Sequence, residues 1–285
     1  MKWWWGLLPF LGVLQAHTNF SGPWLTGPLI VPAGTVTPVG HYEVEPYLYV
    51  TTNSATYDSH WHAQKSSRLT FLNVQVIALI GLTEWMDAQI TPSVFYGHST
   101  ARWGDLPIAL DFQLLPWLKF TLQETFPSGQ YQRAKNTAEL SGLGTYGSNA
   151  NILFYKLFHL SDLHYLSTFL SIGYTVNSWV HVHGLNAYGT GSGTVKPGDG
   201  FRAIFSFEYT LNQNWVFAMD NVYLHTNKNR SSTLPSPSEE QLSIAPAIEY
   251  NFSDNFGIIA GSWFTVAGRN SQQFYSGVIA FDLTW

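Results

Sequence analysis

The chain ends in the stretch FYSGVIAFDLTW, residues 274–285, and this stretch indicates the fold. Successive side chains of a β-strand point to opposite faces, so residues two apart share a face. One face would carry Tyr275, Gly277, Ile279, Phe281, Leu283 and Trp285, and the other Phe274, Ser276, Val278, Ala280, Asp282 and Thr284. An apolar face opposite a face with a carboxylate predicts a strand that separates lipid from a polar lumen.

The composition of the whole chain agrees with this prediction. Charged residues make up 11% of the sequence and aromatic residues 16%, whereas charged residues make up about 25% of an average soluble domain. No stretch of the sequence approaches the roughly 18 uninterrupted apolar residues of a transmembrane helix, which excludes the helical membrane class. A closed β-barrel pairs every backbone N–H and C=O group inside lipid. A soluble β-sandwich is the competing interpretation.

Alternating segments recur along the chain and predict an all-β, antiparallel, up-and-down transmembrane β-barrel of about 12 strands. Minimal connections are expected at residues 82–85, 116–117, 161–164, 212–214 and 253–255, and long polar ones at 51–66, 127–149, 179–200 and 227–241. Short turns on one side and long loops on the other are typical of bacterial outer-membrane barrels, whose short turns are periplasmic. A barrel of ten or fourteen strands would follow if one hairpin were assigned wrongly.

The N-terminal part of the chain has a different composition. Residues 1–16 combine Lys2, an apolar core and a final Gln15-Ala16, which predicts a secretory signal peptide. Residues 17–40 are rich in Pro and Gly, which interrupt both helices and strands. We expect this lead-in to be periplasmic or to fold into the lumen as a partial plug, with a disordered linker as the alternative. Residues 41–285 would form the barrel.

The polar face of each strand predicts which charged side chains line the lumen or its constriction. These residues are Asp111, Lys119, Lys156, Arg202, Glu208, Glu249 and Asp282. Lys156 shares its strand face with Phe154 and Phe158, and we place it inward because lipid is the worse environment for a cation. We expect the carboxylates to lie near the cations, because an isolated charge in a narrow lumen is costly. A structural ion network and a solute-sorting constriction are both consistent with this pattern, whereas a strongly anion-selective channel is disfavoured.

Two short features resemble known proteins. The end of the chain, with Phe281, Leu283 and Trp285 on one face, resembles the C-terminal signal by which bacterial outer-membrane proteins reach their assembly machinery, although bacteria usually place Phe last. The turn 82–85 (LTEW) and the step 104–106 (GDL) resemble the GLT(D/E) turn and GDL strand entry of the MetA-pathway-of-phenol-degradation family. The second resemblance implies an outer-membrane transporter of small, often aromatic or hydrophobic, compounds.

The remaining patterns do not indicate catalysis or a cofactor. The pairs His60-x-His62 and His181-x-His183 would each place two imidazoles on one strand face, but no cysteine and no acidic ligand beyond Asp58 accompanies them. We therefore expect no metal site. No serine and histidine are paired as a hydrolytic site at the outer rim would require, and no basic cluster would bind nucleic acid.

These observations lead to one expected function and one alternative. We expect a passive outer-membrane channel or transporter for small solutes, with membrane lipid and the outer-membrane assembly machinery as its other partners. The alternative is a structural or surface-interaction barrel that has a closed lumen and functional extracellular loops.

Overall fold

The computed structural model describes residues 22–97 and 100–285, and these residues form a closed antiparallel β-barrel. Its strands are β1 (Tyr42–Tyr57), β2 (Ala63–Thr83), β3 (Met86–Ile90 and Ser93–Gly97), β4 (Thr100–Trp103 and Leu106–Leu115), β5 (Leu118–Phe126), β6 (Gly147–Ser161), β7 (His164–Asn177), β8 (Gly200–Thr210), β9 (Trp215–Thr226), β10 (Glu239–Ser253), β11 (Phe256–Arg269) and β12 (Gln272–Thr284). The prediction of twelve strands in up-and-down order is confirmed. The signal peptide predicted at residues 1–16 lies outside the described residues.

The first and last strands close the barrel. β1 pairs with β2 on one side and with β12 on the other. The N–H of Tyr42 donates to the carbonyl oxygen of Trp285 at 2.9 Å, and the N–H of Trp285 donates to the carbonyl oxygen of Tyr42 at 3.0 Å. Because the last residue is paired in this way, the sheet has no free edge at its seam.

Alternate connections lie at opposite ends of the barrel. The short-turn end carries the connections 84–85, 116–117, 162–163, 211–214 and 254–255. The long-loop end carries 127–146, 178–199 and 227–238, which include the 3₁₀ turn Thr137–Glu139 and two small β-ribbons.

The prediction of a long loop at residues 51–66 is wrong. β1 and β2 remain paired from Thr51 and Phe71 out to Tyr57 and Ala63, so the connection is reduced to residues 58–62. Threonine has a high β propensity, and this polar stretch is rich in it, so the hairpin can extend past the apolar band.

The outward-facing side chains form an apolar surface. Its exposed members include Leu48, Val50, Val74, Ile108, Leu110, Leu122, Ile152, Leu170, Ile172, Phe205, Ile248 and Ile279. Next to the short turns, Trp85, Trp117, Trp215 and the C-terminal Trp285 are also exposed. An apolar band bordered by aromatic rings is the outer surface of a transmembrane barrel. Among the described residues, no helix is long and apolar enough to cross a membrane.

Candidate functional site in the barrel lumen

The lead-in, taken here as residues 22–40, lies inside the barrel. It begins against β10, where the Asn251 side chain donates to the carbonyl oxygen of Trp24 at 3.1 Å. Residues 30–33 reach the middle of the lumen and line its central cavity. The lead-in then returns to the short-turn end, where Val39 forms a β-bridge with Gly81 of β2. It therefore forms a loop within the lumen.

Asp220 of β9 holds the innermost part of this loop. Its carboxylate accepts hydrogen bonds from the backbone N–H groups of Ile30 and Val31, both at 3.2 Å, and from the hydroxyl of Ser206. Asp220 and Ser206 are completely buried. An irregular segment cannot pair its own N–H groups, so the barrel wall supplies the acceptors.

Two further carboxylates hold the ends of the loop. Glu249 of β10 accepts the N–H of Thr26 at 3.2 Å, and Asp87 of β3 accepts the N–H of Thr37 at 2.7 Å. Hydrogen bonds to a charged acceptor are stronger than those between neutral groups. The lumen carboxylates therefore act as anchors for the lead-in backbone.

Apolar packing fixes the same loop. Leu29 and Val31 are buried in two separate apolar clusters of inward-facing side chains, and Ile30 packs against both clusters. Gly34 lies beneath the ring of Tyr155, and a Cβ at this position would lie 2.4 Å from that ring. Only glycine lets the backbone approach the ring this closely.

One ion pair lies in the lumen wall. Lys119 Nζ is 3.5 Å from Asp111 Oδ2, and both side chains are almost fully buried. Asp111 also accepts a hydrogen bond from the hydroxyl of Thr121 and lies opposite Asp87 in the register of β3 and β4. Lys119 thus compensates a region where two buried carboxylates face each other.

The expected pairing of the other carboxylates with cations is not found among the described residues. Glu208 lies near Glu249, and among the described residues each has one buried oxygen without a partner. The hydroxyl of Ser167 donates to Glu208 at 2.5 Å. Asp282 lies instead with Glu43 and Glu45 near the short-turn end, with ligand-type oxygens within 4.8 Å of one another. A hydroxyl at Glu208 and a lead-in N–H at Glu249 take the place of the expected cations.

Arg202 of β8 points into the lumen at the meeting point of two cavities. Its guanidinium donates to the carbonyl oxygen of Ile30 at 3.4 Å. The ion pairs within 4.0 Å among the described residues do not include it.

Lys156 faces outward, which contradicts its predicted place in the lumen. It is exposed on the same face as Phe154 and Phe158 and lines an outer groove. The neighbouring Tyr155 donates its N–H to the carbonyl oxygen of Trp117 at 2.9 Å, so Lys156 lies level with a short turn. At this height a lysine amine can reach interfacial water while its methylene stem stays on apolar surface.

Two adjoining cavities remain beside the lead-in. The larger has a volume of about 530 Å³ and follows the wall formed by β1 and β2 from Asn53 to Glu45, which is roughly 26 Å of strand at 3.3 Å per residue. Aromatic side chains line it at Tyr47, Tyr49, Phe71, Trp263 and Phe274. The smaller cavity, of about 290 Å³, is lined in part by the polar side chains of Asp111, Asn149, Asn151 and Ser171. Pro32, Gln89, Gln123 and Arg202 belong to both cavities.

Four further carboxylates belong to the lumen and were not predicted from the sequence: Glu43, Glu45, Asp87 and Asp220. Glu45 shares strand parity with Tyr47 and Tyr49, so period-two alternation would have identified it. Asp220 shares its strand face with the apolar residues Ala218 and Val222, so from the sequence this face resembles one that meets lipid. It is apolar because this part of the lumen wall packs against the lead-in.

The residues that resemble an assembly signal lie on the outer surface. Phe281, Leu283 and Trp285 are exposed on β12 and the residue that follows it, and the ring of Trp285 stacks on Tyr42 with centroids 6.0 Å apart.

The histidine pairs lie at the long-loop end. His60 and His62 donate their backbone N–H groups to Asp58 Oδ1 at 2.8 and 3.0 Å, and these bonds lower the pKa of that carboxyl. His181 and His183 lie on a small ribbon with ring centroids 4.6 Å apart. The acidic cluster at the short-turn end is the only group of three or more metal-type ligands close enough together among the described residues.

Comparisons with known proteins agree with this architecture. No family model and no curated protein matches the chain. An outer-membrane channel of the COG4313 group from Pseudomonas putida F1 is similar in structure, with a TM-score of 0.70 and 16% identity, over 90% of this chain and all of that one. The NanC porin has a TM-score of 0.46 and 9% identity, over 83% of this chain and 98% of that one. The CymD monoaromatic hydrocarbon channel has a TM-score of 0.44 and 11% identity, over 87% of this chain and 89% of that one. The chain therefore has the fold of an outer-membrane β-barrel channel.

Proposed function

We propose that this chain is an outer-membrane channel for small solutes, including hydrophobic or aromatic ones. The observation that carries the proposal is the larger cavity, which continues past the lead-in along β1 and β2. A path along this wall does not require the lead-in to leave the barrel.

The lining of the cavity supports the solute class. Tyr47 and Tyr49 stack with centroids 5.7 Å apart, and Trp263 meets Phe274 edge to face at 5.0 Å. The Trp263 indole N–H is held by the hydroxyl of Ser243 at 2.9 Å. Rings that are already oriented offer apolar contact area to an aromatic solute at low entropic cost. The COG4313 protein is described as an outer-membrane channel, and this chain shares its fold.

The other parts of the chain have supporting roles in this proposal. Residues 1–16 direct export, and residues 22–40 narrow the lumen as a partial plug. Phe281, Leu283 and Trp285 present the barrel to the assembly machinery. The lumen is shaped by Asp111, Lys119, Arg202, Glu208, Glu249 and Asp282, and no catalytic step is involved. Of these, Glu249 also anchors the lead-in, together with Asp87 and Asp220.

One observation favours the alternative of a structural barrel with a closed lumen. The lead-in is held inside the barrel by buried carboxylates and by close packing at Gly34. In that case the loops at the long-loop end would carry the function.

Conductance in planar lipid bilayers separates the two functions. Gln75 lines the larger cavity, whereas its neighbour Val74 points outward from the same strand. We expect the wild type to conduct, Gln75→Trp to lower the conductance, and Val74→Trp to leave it unchanged. A wild type that does not conduct, or a Gln75→Trp variant with unaltered conductance, would favour the closed barrel.

Uptake of a labelled aromatic hydrocarbon tests the solute class. Cells with an intact outer membrane should take it up faster when they produce the wild-type chain than when they produce Gln75→Trp. Equal uptake by the two would remove hydrophobic solutes from the proposal.

A further inference from the structure

Among the described residues, Arg202 is the lumen cation whose hydrogen-bond donors are not all paired. A guanidinium carries five N–H donors, and the described residues offer Arg202 one carbonyl acceptor, that of Ile30 at 3.4 Å. Lys119, by contrast, is buried against Asp111. The side chain of Arg202 is exposed to the lumen and lines both cavities.

The acidic groups near Arg202 are occupied by other donors. Asp220 attracts Arg202 through space, but its oxygens already accept from Ile30, Val31 and Ser206. Glu45, in the same cavity, accepts the hydroxyl of Tyr47 at 3.0 Å. Within the described part of the chain, the guanidinium therefore has a nearby carboxylate but keeps unpaired N–H donors.

The wall beside Arg202 is aromatic on the side of the larger cavity. Tyr49 and Trp263 line this cavity together with Arg202, and Gln89 and Gln123 lie where the two cavities meet. A cavity of about 530 Å³ lies within the range of small-molecule sites, roughly 300 to 1,000 Å³. It therefore combines one forked cationic donor with apolar ring surface.

We propose that Arg202 binds the carboxylate of an aromatic monocarboxylate solute, whose ring contacts the aromatic wall. The guanidinium fork matches a carboxylate in a bidentate arrangement. This inference deepens the proposed channel function and rests on it, because the solute must reach the middle of the barrel. It names a substrate class and the residue that determines specificity.

Calorimetric titration of the folded, detergent-solubilised chain at pH 8 tests the inference with three probes. Sodium benzoate carries both features, benzyl alcohol lacks the charge, and sodium acetate lacks the ring. We expect benzoate to bind the wild type at least tenfold more tightly than either other probe. Arg202→Met should weaken benzoate binding about tenfold or more, as expected for a lost charge-assisted pair. Its affinity for benzyl alcohol should not change.

Two variants serve as controls. Lys156→Met removes a cation from the outer surface and should bind benzoate like the wild type. Arg202→Lys keeps the charge without the guanidinium fork, so it should bind benzoate with intermediate affinity. It also tests the inference if Arg202→Met fails to fold. The inference is overturned if the wild type does not bind benzoate, if benzyl alcohol binds as tightly as benzoate, or if both Arg202 variants match the wild type.

The titration is independent of the conductance measurement. A wild type that conducts but does not bind benzoate leaves the channel function standing and removes the substrate class. A wild type that binds benzoate without conducting keeps the binding site and removes the channel.

Discussion

Replacement of Lys119 by methionine should strongly destabilise the barrel. Lys119 and Asp111 have side-chain exposures of 1% and 3%, and their charged atoms are 3.5 Å apart. At an effective dielectric constant of 20, charges at that distance attract by ~5 kcal/mol. Removal of one partner of a buried pair typically costs about 3 to 5 kcal/mol, because the other charge is left uncompensated. Asp87, which lies opposite Asp111, adds repulsion.

Urea titration in lipid vesicles measures this loss, with the folded fraction read from heat-modifiable mobility on gels. We expect the free energy of unfolding to fall by about 3 to 5 kcal/mol in Lys119→Met. The double variant Lys119→Met/Asp111→Leu should recover most of the loss, because no buried charge then lacks its partner. Lys156→Met is the matched control, and its change should stay within about 1 kcal/mol near the interface.

The reasoning would be refuted if Lys119→Met lost less than about 1 kcal/mol or resembled Lys156→Met. A double variant less stable than Lys119→Met would also contradict this explanation, because the unpaired charge of Asp111 would then not be the cause of the lost stability.

Three other measurements test the topology, the C-terminus and the lead-in. In intact cells, externally added thiol reagents should label a cysteine placed in the long loop 127–146 but not Asn214→Cys at a short turn. Labelling of Asn214→Cys would reverse the predicted orientation of the barrel in the membrane. Trp285→Ser should lower the amount of assembled, heat-modifiable barrel far more than total synthesis, because it removes an exposed ring at the girdle; a normal folded yield would contradict this. Gly34→Val should displace the lead-in, since its side chain would meet the ring of Tyr155, and should raise bilayer conductance above that of the wild type. An unchanged or lower conductance would show that the lead-in does not restrict the path.

Local patterns were sufficient for the strand order. The period-two alternation of β8, β10 and β12 depends only on neighbouring residues, so it predicted which of their side chains face inward, including Arg202, Glu249 and Asp282. The same pattern was ambiguous at Lys156, because both faces of β6 are apolar. Only the hydrogen bond from Tyr155 to Trp117, in the turn between β4 and β5, shows that this lysine lies near the interface.

The sequence by itself determined the antiparallel barrel class, the alternation of its strands and most of the membrane-facing surface, because these follow from the spacing of residues along each strand. Only the tertiary structure decided which lumen charges meet. Asp220 and Ile30 are 190 residues apart, and Glu249 and Thr26 are 223 apart, so neither contact leaves a local signal. The carboxylates accept backbone N–H groups of the lead-in because that segment cannot satisfy its own donors inside the barrel. Within the residues that the structure describes, this placement leaves Arg202 as the lumen cation with unpaired N–H donors.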